Sequence, residues 1–206
     1  MLKKHIDLVE RRIIRDEQIP VGEKVYSLFE PHTEWLCKGK ANKRVELGHK
    51  ILVASDQWGF IGHHQVVEKQ ADVALVLPLV DKLLNLFGKG RIESISVDKG
   101  FYKKEYKEQI SLSIPKVIMP KKGKKTKAEQ EEESERTFIK LRHKHSGVES
   151  DINRLEHHGL DRCLDKGIAG FKRYCGLGIL AANLHTMGNI LQKKAQKKKE
   201  TVLKAA

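Results

Sequence analysis

The sequence has few cysteines, no long apolar run and comparatively little negative charge. Its three cysteines, Cys37, Cys163 and Cys175, are odd in number and widely spaced, which excludes a disulfide framework and a cysteine zinc site. The longest apolar candidate, residues 175–182, is far shorter than the ~20 residues that a membrane span needs. The first residues lack the apolar core of a signal peptide. We therefore expect reduced thiols, no membrane partner and a cytoplasmic location.

Positive charge dominates what is present. The 206 residues include 40 lysines and arginines against 27 aspartates and glutamates, for a formal net charge of +13. Hydrophobic residues make up 39% of the chain, which is enough for a real core. This balance favours a polyanionic partner such as nucleic acid. A ribosome-associated basic protein would fit the charge but would leave three acidic positions, described below, unexplained.

Composition divides the chain into five segments. We expect a polar leader at residues 1–22, a catalytic core at 23–119, a charged connector at 120–136, C-terminal helices at 137–192 and a basic tail at 193–206. In the connector a run of lysines precedes a run of glutamates, which is typical of a solvated linker or of a phosphate-binding segment.

Hydrophobic periodicity predicts the order β-β-β-α-β-α-β-α after a polar helix at residues 3–18. The predicted strands are residues 25–29, 46–54, 60–67, 91–97 and 115–119. The predicted helices are residues 72–87, 103–109, 137–156 (interrupted at residues 146–147) and 168–192. Asp72 is a plausible N-cap, and Pro78 predicts a kink or a later start. This order describes an α/β domain with one mixed sheet, in which the first and fourth strands are neighbours.

In that layout three acidic residues are candidate metal ligands. Glu30 and Asp98 end the first and fourth predicted strands, and Glu149 lies on a later helix. Ligands of open α/β sheets bind at the carboxyl ends of strands, and carboxylate oxygens suit Mg²⁺ or Mn²⁺. Such ions drive phosphoryl transfer on nucleic acid. Asp56, in the predicted hairpin turn, competes with Glu30 for the first position, whereas Asp72 is better explained as a cap.

Three stretches carry a family resemblance. They are residues 146–162 (SGVESDINRLEHHGLDR), residues 97–101 (VDKGF) and residues 29–35 (FEPHTEW). With them, roughly residues 20–192 resemble the catalytic part of DDE-type transposases of bacterial insertion sequences. The resemblance implies a ribonuclease-H-like, retroviral-integrase-like fold, that is, a mixed sheet flanked by helices.

The resemblance also implies an activity and a set of partners. Glu30, Asp98 and Glu149 would be the catalytic, metal-binding residues, with Mg²⁺ or Mn²⁺ as cofactor, in DNA cleavage and strand transfer. The partners would be DNA, as element ends and target, and further copies in a synaptic homo-oligomer. The location would be the bacterial cytoplasm, at the nucleoid.

The chain departs from the family pattern in three places. Glu30 stands where the family usually has Asp. Glu156 stands where many relatives have a Lys, so that a phosphate contact there would come from Arg154. Full-length relatives carry an N-terminal helical region, and this chain has almost nothing before its first predicted strand. A truncated copy, a split product and a boundary error are the three open explanations.

The expected DNA contacts are basic residues near the connector and the last catalytic helix: Lys121, Lys122, Lys124, Lys125, Arg142 and Arg154. Two alternatives stay open at this point. One is a catalytically inactive DNA-binding remnant of a transposase, and the other is a hydrolytic nuclease of the same fold.

Overall fold

The computed structural model describes residues 1–37 and 45–205, with side chains to Thr201. The last residue of the predicted basic tail lies outside the described residues. The described helices are α1 (Leu2–Val9), α2 (Asp72–Phe87), α3 (Lys104–Ser111), α4 (Lys127–Ser134), α5 (Arg136–His145), α6 (Gly147–Leu155) and α7 (Gly167–Ala205). The strands are β1 (Glu34–Cys37), β2 (Val45–Gly48), β3 (Lys50–Ser55), β4 (Ile61–Val67), β5 (Ser94–Ser96) and β6 (Lys116–Ile118).

The strands of the described residues form three separate two-stranded sheets. β1 pairs antiparallel with β2, β3 antiparallel with β4, and β5 parallel with β6. The α/β class is confirmed as a mixture of helices and small sheets. The prediction of one mixed sheet, with the first and fourth strands side by side, does not agree with this arrangement.

The first predicted strand, residues 25–29, does not form. Phe29 is 91% exposed, so the apolar run has no core to face. The hydroxyl of Ser27 accepts a hydrogen bond from the Glu30 backbone N–H at 3.0 Å, which closes a local turn instead of a ladder. Glu30 therefore lies on an irregular segment, not at a strand end.

The predicted hairpin forms as β3 and β4. In its turn one carboxylate oxygen of Asp56 accepts hydrogen bonds from the N–H groups of Trp58 at 2.8 Å and Phe60 at 2.9 Å. Gly59 has φ of +80°, a backbone conformation that favours glycine. Asp56 is thus committed to holding the turn.

The main core lies between α2 and the β5–α3–β6 unit. Buried residues of α2 pack against buried residues of the other elements: Val76, Val80, Leu84, Val97, Ile110, Ile114, Val117 and Met119. α2 is one helix that runs through Pro78, because its buried face outweighs the lost backbone hydrogen bond. Ala71, not Asp72, is its N-cap, and the Asp72 carboxylate pairs with Lys50 at 3.0 Å.

A second, smaller cluster joins β4, α6 and α7. Ile61, Leu155, Ile179 and Ala182 are its buried members. Because Leu155 ends α6, this cluster fixes the helix that carries Glu149 against the hairpin and α7.

The charged segment at residues 120–136 is folded where a solvated connector was predicted. Thr126 and Glu129 form a reciprocal capping box at the start of α4. Lys121 pairs with Glu129 at 2.8 Å, and Lys125 pairs with Glu133 at 2.6 Å. These two lysines of the run are therefore neutralised by glutamates of α4.

The last helix, α7, is longer than predicted. It continues as one helix of 39 residues through the lysine-rich stretch that was expected to be a separate tail. Among the described residues, no helix is both long and apolar enough to cross a membrane.

Candidate functional site

Asp98 lies immediately after the β5–β6 pair and caps a short 3-10 turn. Its side chain accepts a hydrogen bond from the Lys99 N–H at 2.7 Å. The side chain is exposed, whereas the preceding Val97 is buried in the core. The strand thus anchors the backbone and leaves the carboxylate in solvent, which is how an acidic ligand is presented at a sheet edge.

A second carboxylate approaches Gly100 closely. A Cβ on Gly100 would lie 3.3 Å from Oδ2 of Asp72, at the start of α2. Asp72 therefore lies beside the Asp98 turn, and sequence analysis treated it only as a cap. Gly100, two residues before Tyr102, was the available signal, since a bulkier residue would crowd that carboxylate.

Glu30 is held by donors from two directions. The Gly167 N–H, at the start of α7, donates to Oε2 of Glu30 at 3.0 Å. Nε2 of His32 lies 2.8 Å from the same oxygen. Nδ1 of His32 in turn lies 2.7 Å from Nε2 of His49, and Nδ1 of His49 lies 3.2 Å from Oε1 of Glu34. Hydrogen bonds connect Glu30, His32 and His49, whereas Nδ1 of His49 only approaches Glu34 and has no hydrogen-bond partner among the described residues. The four side chains form one chain of contacts.

This chain is anchored at both ends by backbone groups. The Lys69 N–H donates to Oε1 of Glu34 at 3.0 Å, and the Gly167 N–H binds Glu30 at the positive end of the α7 dipole. The His49 ring packs on Phe171 of α7 at 5.4 Å between centroids. The chain thus ties the segment before β1 to the last helix.

A neighbouring ion pair adds to the attachment. Lys172 of α7 pairs with Glu68, and this contact lowers the pKa of the Glu68 carboxyl below its ordinary value. The Glu30 carboxylate is consequently part of a structural junction, and a metal ion would have to displace His32 to use Oε2.

Glu149 lies in the first turn of α6 and its side chain is exposed. In the described part of the chain, its carboxylate has no hydrogen bond or ion pair. A carboxylate in the first turn is favoured by the helix dipole. Glu149 is therefore available to a ligand, as Asp98 is.

Arg154 fixes the helix that carries Glu149. Its guanidinium donates to the Gly59 carbonyl at 2.6 Å and to the Thr186 hydroxyl, and lies 3.1 Å from the Asp151 carboxylate. These contacts join α6 to the hairpin turn and to α7. These contacts engage both terminal nitrogens of Arg154 inside the protein, so a DNA phosphate would have to compete with them.

The other expected DNA contacts divide into two groups. Lys121, Lys125 and Arg142 lie near glutamates of α4, with Arg142 3.8 Å from Glu133. The pKa of Glu129 is lowered to about 2, mainly by the hydrogen bond from Lys121 and to a smaller extent by the hydrogen bonds with Thr126. Lys122 and Lys124 are exposed and, among the described residues, have no acidic partner. The free positive charge is thus smaller than the sequence suggested.

The three candidate carboxylates do not form a metal site in this arrangement. Within residues 1–37 and 45–205, no group of three His, Cys, Asp or Glu side chains is placed to hold a metal ion. Glu30 lies on the segment before β1 and contacts the first residue of α7. Asp98 follows β5 and Glu149 lies on α6, and these two elements are linked through α5, which packs on β5 and β6 and leads into α6. The residues as placed do not fit a bound ion.

Sequence analysis missed the two imidazoles next to Glu30. His32 and Glu34 follow Glu30 at alternate positions, and His49 comes from the segment between β2 and β3. The alternation of Glu, His and Glu in residues 30–34 was the only local signal. Their partner His49 lies 17 residues after His32, so the sequence carried no local signal for the contact between the two imidazoles.

Comparison with known proteins identifies one family. The family model described as transposase DDE domain matches residues 13–184 of the chain, which include all three candidate carboxylates. No curated protein and no solved structure matches the chain significantly.

Proposed function

The chain belongs to the transposase DDE domain family, and on that premise we propose that it cleaves and joins DNA with the carboxylates of Glu30, Asp98 and Glu149. The transposase role follows from the family. The observation that supports the assignment is that Asp98 and Glu149 are exposed, uncommitted to any ion pair and carried by elements that meet through α5.

The chemistry is hydrolysis of a phosphodiester followed by attack of the freed 3′-hydroxyl on target DNA. Enzymes of this family generally need a divalent metal ion, and Mg²⁺ or Mn²⁺ suits carboxylate oxygens. The three side chains do not form a common group of metal ligands among the described residues. The proposal therefore states which carboxylates DNA cleavage requires.

We also propose that the β5–α3–β6 unit belongs to a ribonuclease-H-like sheet. Two parallel strands joined through a helix are the repeating unit of such sheets. The proposal is supported by the hydrophobic core that this unit forms with α2. Asp98 lies two residues after β5, the first strand of the unit.

DNA is the proposed partner, which places the protein at the bacterial nucleoid. Exposed lysines at 122 and 124, together with the half-exposed Arg142, are the proposed phosphate contacts. Binding through such contacts weakens steeply as salt is raised.

A nicking assay on supercoiled DNA with Mn²⁺ tests the carboxylates. The parent is compared with Asp98→Asn, Glu149→Gln and Glu30→Gln, and Glu131→Gln serves as a control at an exposed acid of α4. We expect the first two changes to lower the nicking rate about 100-fold or more, and the control to leave it unchanged. DNA binding is measured for every variant.

Equal nicking by the parent, Asp98→Asn and Glu149→Gln would refute the assignment of these two residues. Joined DNA products distinguish a transposase from a hydrolytic nuclease, which yields cleaved DNA alone. A second candidate function is a DNA-binding protein without cleavage, favoured by the contacts that occupy Glu30. Tight binding with no nicking by the parent would support it.

A further inference from the structure

Helix α7 has two apolar faces on opposite sides. The inner face packs on β4 and α6 through Cys175, Ile179, Ala182 and Thr186, all buried. We call the other face the outer stripe, and it consists of Leu177, Leu180, Leu184, Met187 and Leu191. These five side chains are 46% to 58% exposed. A helix that is apolar on both faces is normally covered on both.

The spacing of the outer stripe is that of a helix–helix seam. Its members follow one another at intervals of three, four, three and four residues, the a and d positions of two heptads. Leu184 lies nine residues, or two and a half turns, after the buried Cys175, so the stripe points directly away from the core. Contiguous exposed apolar surface of this kind marks an interaction site.

We propose that the outer stripe binds the same stripe of a second copy of this chain, with the two α7 helices antiparallel. The three-four spacing is the same in either direction along the helix. That self-complementarity is what a contact about a twofold axis requires. Ala181 and Gly188 lie beside the stripe and allow the helices to approach closely.

The charge of α7 selects the antiparallel direction. Five exposed lysines follow the stripe directly, namely Lys193, Lys194, Lys197, Lys198 and Lys199. Parallel pairing would bring both sets together, whereas antiparallel pairing places them at opposite ends of the contact. Like charges in register destabilise helix pairs.

The same lysines argue against a lipid surface as the occupant. A helix that lies in a membrane interface has a polar face along its length, opposite the apolar one. In α7 the face opposite the stripe is buried against the protein, and the lysines lie beyond its end.

The area is sufficient for a dimer. Covering five half-exposed side chains and the helix surface between them removes on the order of 500 Å² per copy, or about 1,000 Å² in all, the lower bound for a specific interface. This interface is independent of the carboxylate assignment above.

Sedimentation equilibrium of the full chain, without DNA, tests the proposal. We expect a dimer for the parent and a monomer for Leu180→Glu/Leu184→Glu. Leu112→Glu is the matched control, since Leu112 is 87% exposed at the end of α3, and it stays dimeric. Leu184→Gln, a milder change, should weaken the dimer at least 10-fold in dissociation constant if the double variant fails to fold. A monomeric parent, or a dimer that both stripe variants preserve, would overturn the interface.

Disulfide trapping tests the direction. In a background with Cys37→Ser and Cys163→Ser, Leu184→Cys lies near the twofold axis and should cross-link two copies. Leu191→Cys faces the other end of the partner's stripe and should not. Efficient cross-linking through Leu191→Cys would show a parallel pair and overturn the antiparallel arrangement.

Discussion

Replacing Arg154 with methionine tests how the helix that carries Glu149 is held. Methionine keeps most of the aliphatic volume and removes the guanidinium. The change leaves the Asp151 carboxylate, which is buried, without its cation. It also removes the donors to the Gly59 carbonyl and the Thr186 hydroxyl. Thr186 keeps its own bond to the Ala182 carbonyl, so it loses least.

The expected loss of stability is about 2 to 3 kcal/mol. Removing one partner of a fully buried ion pair costs about 3–5 kcal/mol, and the guanidinium here is partly solvated, which lowers that figure. The Gly59 carbonyl lies in a turn where water can replace its donor. Adding Asp151→Asn to Arg154→Met should recover part of the loss, because the unpaired buried charge is then gone.

Urea denaturation followed by circular dichroism measures the effect. Arg142→Met is the control, since Arg142 is half-exposed and its one ion pair within the described residues is a long contact of 3.8 Å with Glu133. It should cost under about 0.5 kcal/mol. In DNA binding the order reverses. Arg142→Met should lower the slope of log affinity against log salt by about 0.9, and Arg154→Met should not change it.

Two outcomes would refute this reasoning. Equal stability of the two variants would mean that the Arg154 contacts contribute no more than a surface pair. A salt slope lowered by Arg154→Met, with stability unchanged, would mean that the guanidinium reaches a phosphate, as the sequence suggested.

Two further predictions concern the charged segment and the packing of α7. The folded pKa of Glu129 lies near 2, below its unfolded value, so its ion pair with Lys121 stabilises the fold above pH ~4.5 and is lost as the pH falls toward 2. Glu129→Gln should flatten acid unfolding in that window, and an unchanged profile would contradict the pair. Gly178→Ala places a Cβ 2.7 Å from Leu160 and should destabilise by about 1–3 kcal/mol, whereas Gly176→Ala, with its nearest contact at 3.6 Å, should stabilise by up to ~1 kcal/mol. Equal melting temperatures for the two alanine variants would contradict the close packing of Gly178 on Leu160.

Much of the secondary structure could be predicted because its signals are local. The β3–β4 hairpin, α2 and the break between α5 and α6 near residue 146 follow from apolar periodicity and turn residues within a few positions. Residues 25–29 show the limit of that reasoning. The apolar run is typical of a strand, yet none of the six described strands pairs with it, and Ser27 and Pro31 favour a turn.

The candidate site divides in the same way. Asp98 and Glu149 are recognisable from the residues around them, and the family match includes both. The surroundings of Glu30 and Arg154 come from distant parts of the chain. Gly167 is 137 positions from Glu30, and Gly59 is 95 positions from Arg154.

The sequence alone determined the charge, the family and most helices and strands, because these depend on composition and on neighbours within one or two turns. Only the tertiary structure decided which charges stay free. Lys121 and Lys125 pair with glutamates of α4, so their charges are not free for DNA. Arg154 points into the protein and contacts Asp151. Ion pairs and hydrogen bonds depend on distances of about 3 Å between side chains, and those distances are set by how the elements pack.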